Sequence, residues 1–139
     1  MPPARDGRPD AVLLIESDPY ARDLYRTALH DAGGFTVVSA RDEIDALRRL
    51  DASTPDAVVV NLTATGHHAR NLLAAMRLRG AAHIPVIAIT DGDPATLQQA
   101  GFACVIVRPV DLGNLLEELL RCLAERGHDG TLKAAIEGP

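Results

Sequence analysis

The sequence predicts an α/β fold of five βα units, a doubly wound parallel sheet held between two layers of helices. Three observations point there. Short apolar runs alternate with longer amphipathic segments, the pattern of a parallel sheet with helical crossovers. The runs are apolar almost throughout, as strands covered on both faces must be. The chain of 139 residues has the usual length of one domain and can bury one sizeable core.

Taken in order, the first strand is "AVLLI", Ala11 to Ile15. A helix follows from Asp18 and Pro19, with Ala21, Leu24, Tyr25, Ala28 and Leu29 at helical spacing, and Gly33-Gly34 ends it. "FTVVS", Phe35 to Ser39, is the second strand and the least apolar of the set. Ile44, Leu47 and Leu50 mark a short second helix that closes before Pro55. The third strand, "AVVV" from Ala57 to Val60, precedes a third helix marked by Leu72, Leu73, Met76 and Leu78 and ended by Gly80. "PVIAIT", Pro85 to Thr90, leads into a brief fourth helix opened by Asp93-Pro94 and stopped at Gly101. "CVIV", Cys104 to Val107, is the fifth strand. After Asp111, a good N-cap, a fifth helix carries Leu112, Leu115, Leu116, Leu119, Leu120 and Leu123 as a wide apolar stripe. The expected organisation is a flexible N-terminal tail at 1–10, one domain at 11–126, and a C-terminal tail or linker at 127–139.

Composition narrows the function classes. Aromatic residues are only 3% of a chain that is 47% hydrophobic, so Ala, Val, Leu and Ile must build the core and no base-stacking surface is evident. A net charge of −5 with scattered arginines argues against direct nucleic-acid binding, which rests on clustered Lys and Arg neutralising phosphates. Cys104 and Cys122 sit in apolar runs without a nearby His or a CxxC partner, and read as buried, reduced thiols. The first ten residues lack the apolar core of a secretory signal, and no apolar run approaches the ~20 residues of a membrane span. The expectation is a cytoplasmic protein that does not engage a membrane.

In doubly wound sheets, ligands bind outside the carboxyl ends of the strands. The polar residues there are Glu16, Ser17 and Asp18 after the first strand, Asn61 after the third, Thr90 after the fourth and Arg108 after the fifth. Asn61 stands out in "PDAVVVNLTATG". A carboxylate at that strand end could take a phosphoryl group or hold a metal, whereas a carboxamide is a very poor nucleophile and a weak ligand.

Four segments, "VLLIESDP", "PDAVVVNLTATG", "IPVIAIT" and "CVIVRPVDL", resemble in order and spacing the signature segments of the receiver domain of response regulators in two-component, phosphorelay signalling. The resemblance spans roughly residues 11 to 124 and implies the flavodoxin-like receiver fold, (βα)5 with strand order 2-1-3-4-5. It also implies a bacterial signalling module and not an enzyme. In that family two acids after the first strand and an aspartate after the third hold Mg²⁺. The aspartate accepts a phosphoryl group from a histidine kinase, and a hydroxyl and a lysine bind the phosphoryl oxygens. The carboxylate is the nucleophile; the metal and lysine neutralise developing charge.

Carried over residue by residue, the resemblance places Glu16 at the first acid and neutral Ser17 at the second. Asn61 falls at the phosphoacceptor, Thr90 at the phosphate-sensing hydroxyl, Arg108 before Pro109 at the lysine, and Val105 at the switch aromatic. Thr65-Gly66 stands where Pro-Gly commonly follows the acceptor strand. An octahedral Mg²⁺ site wants carboxylate oxygens, so the vestigial set Glu16, Ser17 and Asn61 implies weak or absent metal binding, and no cofactor is expected. Arg108, always charged and fork-shaped, could pair with Glu16 or Asp18 and fill the metal's space. Four separate departures argue against a single inactivating change, and the resemblance is to a degenerate receiver, a pseudo-receiver acting independently of phosphorylation.

Other candidates have simpler readings beside them. His67-His68 point in different directions on a helix, so solvated residues are favoured over a shared metal. Thr63 and Thr65 near Gly66 read as turn residues. Asp91 and Asp93 could add carboxylates to a displaced cation site, but Asp93 before Pro94 reads first as an N-cap, and so does Asp18. Leu112, Leu115, Leu116, Leu119 and Leu120 are core candidates singly; as a face, with the fourth helix and fifth strand, they are a partner surface in this family. The expected partner is a signalling protein, a histidine kinase or a second copy of the chain, reached by protein-protein contact. Two alternatives stand: a receiver phosphorylated at Thr63, Ser17 or Asp18, and a small anion or nucleotide module at Arg108 and Thr90.

Overall fold

The computed structural model describes residues 10–62 and 67–137, with side chains described for 10–62 and 71–125. The elements alternate as β1 (Ala11–Ile15), α1 (Pro19–Asp31), β2 (Thr36–Ala40), α2 (Glu43–Ala52), β3 (Ala57–Asn61), α3 (His67–Leu78), β4 (Val86–Thr90), α4 (Pro94–Ala100), β5 (Cys104–Val107) and α5 (Leu112–Glu137). The five strands form one sheet in the order β2-β1-β3-β4-β5, every neighbouring pair parallel. Each crossover carries the chain back to the amino end of the sheet, so all carboxyl ends face one way.

The strand pleat divides the core. Leu13, Ile15, Val58, Val60, Val86 and Ala88 face the layer of α2, α3 and α4, where Ala46, Leu72, Met76 and Leu97 meet them. Val12, Leu14, Val59, Ile87, Ile89 and Ile106 face α1 and α5, against Tyr25, Leu29, Leu115 and Leu119. Both faces of the central strands are therefore dry, which is why their sequences run apolar without alternation. Edge strands are less covered: β2 has an exposed first residue and β5 an exposed last one. Burying a side chain such as Leu13 or Ile87 contributes roughly 1.5–3 kcal/mol.

Caps set the helix starts. Asp18 accepts from the Ala21 amide at 3.2 Å and opens α1. Asp42 accepts from the Asp45 amide at 2.8 Å and opens α2. Asp93 accepts from the Ala95 amide and the Thr96 hydroxyl, both at 3.1 Å, and opens α4. Asp111 accepts from the Gly113 amide at 2.9 Å at the start of α5. Gly101 closes α4 at φ +117°, a backbone state that side chains resist. Gly33, past α1, has no room for a Cβ, which would lie 2.7 Å from the Phe35 ring.

Several expectations shift by small, explicable amounts. β2 starts at Thr36, one residue late, because Phe35 is a buried plug whose amide donates to the Leu29 carbonyl at 3.2 Å. β4 starts at Val86 and not at Pro85, which has no N–H to pair; its carbonyl still accepts from Val58 at 2.9 Å. Asn61 belongs to β3 itself, opposite Ile89. Leu24, Ile44 and Leu78 fit the helical periodicities but are exposed, because each helix buries a stripe narrower than its apolar content. α5 continues to Glu137, through the stretch from 127 where the sequence suggested a tail or linker. The expected N-terminal tail lies outside the described residues up to residue 9.

Candidate functional site

The carboxyl ends of β1, β3, β4 and β5 converge on Glu16, Asn61, Thr90 and Arg108. Glu16 follows β1 directly, and its amide donates to the Ala40 carbonyl of β2 at 3.0 Å, which holds it in line with the sheet. Its side chain is only 4% exposed. A carboxylate so desolvated must be satisfied locally. One oxygen, Oε2, accepts from the Asp18 amide at 3.0 Å. The other, Oε1, accepts a short hydrogen bond from Asn61 Nδ2. Arg22 Nη1 also donates to the Glu16 main-chain carbonyl, at 3.1 Å.

This arrangement gives a physical reason for the amide. A carboxylate at position 61 would face the Glu16 carboxylate across that same contact, and such a pair needs a proton or a cation between them. The carboxamide supplies the donor itself. Its oxygen, Asn61 Oδ1, is buried and has no hydrogen-bond partner among the described residues.

Arg108 closes the other side. Its amide donates to the Thr90 carbonyl at 2.9 Å, and the peptide bond to Pro109 is cis. Nη2 donates to the Leu62 carbonyl at 2.9 Å, while the Leu62 amide donates to Ile89 at 2.8 Å, so the chain leaving β3 is held at both groups. Nη1 lies 3.2 Å from Asp91 Oδ2 as an ion pair, without hydrogen-bond alignment. The expected pairing of Arg108 with Glu16 or Asp18 is therefore corrected to Asp91: the caps and the Asn61 bond already occupy the two acids. With the Asp91 side chain 61% exposed, the pair contributes about 0–1 kcal/mol and acts mainly to place the guanidinium.

Thr90, 2% exposed, accepts from the Gly92 amide at 2.9 Å and forms the turn after β4. Val105 is partly buried against the α2, α3 and α4 layer. Ser17 is exposed. Thr63, Thr65 and Gly66 lie outside the described residues, as do the side chains of His67 and His68. Asp93 caps α4 and does not join Glu16 and Asp18 in a displaced cation site. Among the described residues, no group of three or more His, Cys, Asp or Glu gathers as metal ligands.

Helical spacing marks Tyr25 only as part of the α1 apolar stripe, but its phenol feels the charges of Glu16 and Arg108. Burial, with the Glu16 charge adding and the Arg108 charge opposing, pushes its phenol above the ordinary range, so it stays protonated beside the site. The cysteines lie elsewhere: Cys104 donates to Glu118 Oε2 at 3.1 Å, and burial with that bond pushes its thiol up to about 11. Both cysteines are free, and burial raises Cys122 as well. Leu115 and Leu119 are fully buried, which removes them from the expected partner face; Leu112, Leu116 and Leu120 are partly buried and remain on it.

The model of the response regulator receiver domain family matches residues 12–120 of the chain. Protein-glutamate methylesterase/protein-glutamine glutaminase 5 of Myxococcus xanthus is 30% identical over 109 residues, 75% of this chain and 31% of that protein. Regulator of RpoS of Escherichia coli K12 is 31% identical over 116 residues, 81% of this chain and 34% of that protein. The chain thus spans about a third of the length of these relatives. The crystal structure of a CheY-like response regulator receiver domain protein from Methanospirillum hungatei superimposes with a TM-score of 0.73 at 19% identity, over 88% of this chain and 99% of that one. Among the described residues no helix is long and apolar enough to cross a membrane.

Proposed function

The chain belongs to the response regulator receiver domain family of two-component signalling, and from that premise we propose that it signals by protein-protein interaction without phosphorylation at the usual acceptor position. The observation that carries this reading is the hydrogen bond from Asn61 to buried Glu16. It satisfies the carboxylate with a neutral partner, and the residue best placed to be a nucleophile has none of a carboxylate's chemistry.

The residues present do not fit a Mg²⁺ ion. Both Glu16 oxygens are engaged, Asn61 turns its NH₂ group to the acid, and Ser17 replaces a charged ligand. Arg108 supports the same reading, since a fixed guanidinium already neutralises this end of the sheet. The site then holds one conformation, and Val105 provides no ring to report a change. Contact with a partner, a kinase or a second copy falls to the face that includes Leu112, Leu116, Leu120 and exposed Val107.

Incubation with a small phosphodonor and Mg²⁺, followed by intact mass, tests this. The unmodified mass is expected; a stable gain of one phosphoryl group would overturn the reading in favour of Thr63, Ser17 or Asp18 as acceptor. Asn61→Asp alone is not expected to restore rapid Mg²⁺-dependent labelling, because Ser17 and Arg108 remain.

A further inference from the structure

Between α3 and α4, beside the amino ends of β4 and β5 and away from the carboxyl ends, two adjoining depressions of about 280 and 370 Å³ share Leu73, Arg77 and Ala100. α4 is only seven residues long, and its groove side carries small or uncharged side chains such as Thr96 and Ala100, so it does not fill the space beside α3. Buried Met76 contributes to an apolar floor, and Arg77 and His83 stand on the rim. Among the described residues no acidic side chain lines either depression, in a chain with 19 acids and a net charge of −5. Arg77 makes no ion pair with any described residue, whereas Arg79, two positions on, is held by Asp51 at 3.0 Å.

We infer that this groove docks a short acidic segment of a partner protein, an apolar side chain set on the floor and flanking carboxylates on Arg77. Charge complementarity chooses the occupant. A basic segment would meet Arg77 unopposed, and a purely apolar one would leave it unused. The surface is distinct from the α5 face and from the Asn61 site, so the inference stands or falls separately from the function proposed above.

Fluorescence anisotropy with a labelled peptide alternating Asp or Glu with Leu tests it, beside the same peptide with Lys at every acidic position. Saturable binding of the acidic peptide is expected, weakened by added salt. Arg77→Glu is expected to weaken binding about tenfold or more, and Arg77→Gln by a smaller factor. Arg48→Glu, an exposed change on α2, serves as the control and should leave binding unchanged. Arg77 is exposed at the end of a helix, so these variants should keep the fold, checked by circular dichroism. Equal binding of the basic peptide, unchanged binding by Arg77→Glu, or no binding of the acidic peptide would overturn the inference.

Discussion

At the scale of single residues, Asn61 matters less as a missing nucleophile than as a donor. The amide lets a buried carboxylate, Glu16, stand beside a strand end without a proton or a cation. Asn61→Asp should therefore cost about 1–3 kcal/mol of stability at neutral pH in a urea titration without divalent cations. The sign with pH follows from the facing pair. In the folded variant one carboxyl of the pair binds a proton more readily than in the unfolded chain, so the deficit narrows as pH falls. A variant as stable as the parent at pH 7 would contradict this. The positions of Asn61, Thr90 and Arg108 were legible in the sequence because each follows a recognisable strand. The partner of Arg108 was not: Glu16 and Asp18 are the acids the sequence offers it, and the Asp18 cap and the Asn61 bond claim both, leaving Asp91.

At the scale of elements, strand runs announced themselves wherever both faces were dry, as in β1, β3 and β4. β2 begins one residue after its apolar run, because an edge strand tolerates Thr36 and Ser39, and Phe35 has the character of a strand residue while acting as a plug. Helical periodicity behaves in the same way: it identifies a face but not how much of it the sheet covers, so Leu24, Ile44 and Leu78 remain outside. α5 shows the division most clearly. Leu119→Ala should destabilise by about 2–5 kcal/mol, because it empties a fully buried site. Leu120→Ala, on the partly buried side, should cost distinctly less. Urea titrations of the two variants compare them directly, and equal losses would mean that the α5 face is divided wrongly. If a second copy docks on this face, Leu116→Glu should shift the light-scattering mass from dimer toward monomer.

At the scale of the whole molecule, the strand order 2-1-3-4-5 is what brings Glu16, Asn61, Thr90 and Arg108 together, although they are spread over most of the chain. The architecture belongs to the receiver family, while the chemistry at its strand ends is closed from within: an amide answers the acid, and an arginine spans the loops after β3 and β4. On the function proposed above, such a domain would work as a shaped surface, with its selectivity in faces such as the α3-α4 groove and the outer side of α5. A Mg²⁺ titration followed by backbone amide NMR shifts puts this most directly to the test. No saturable change is expected at Glu16 or Asn61 at millimolar Mg²⁺; saturable shifts centred on those two residues would mean that the strand ends still hold a cation.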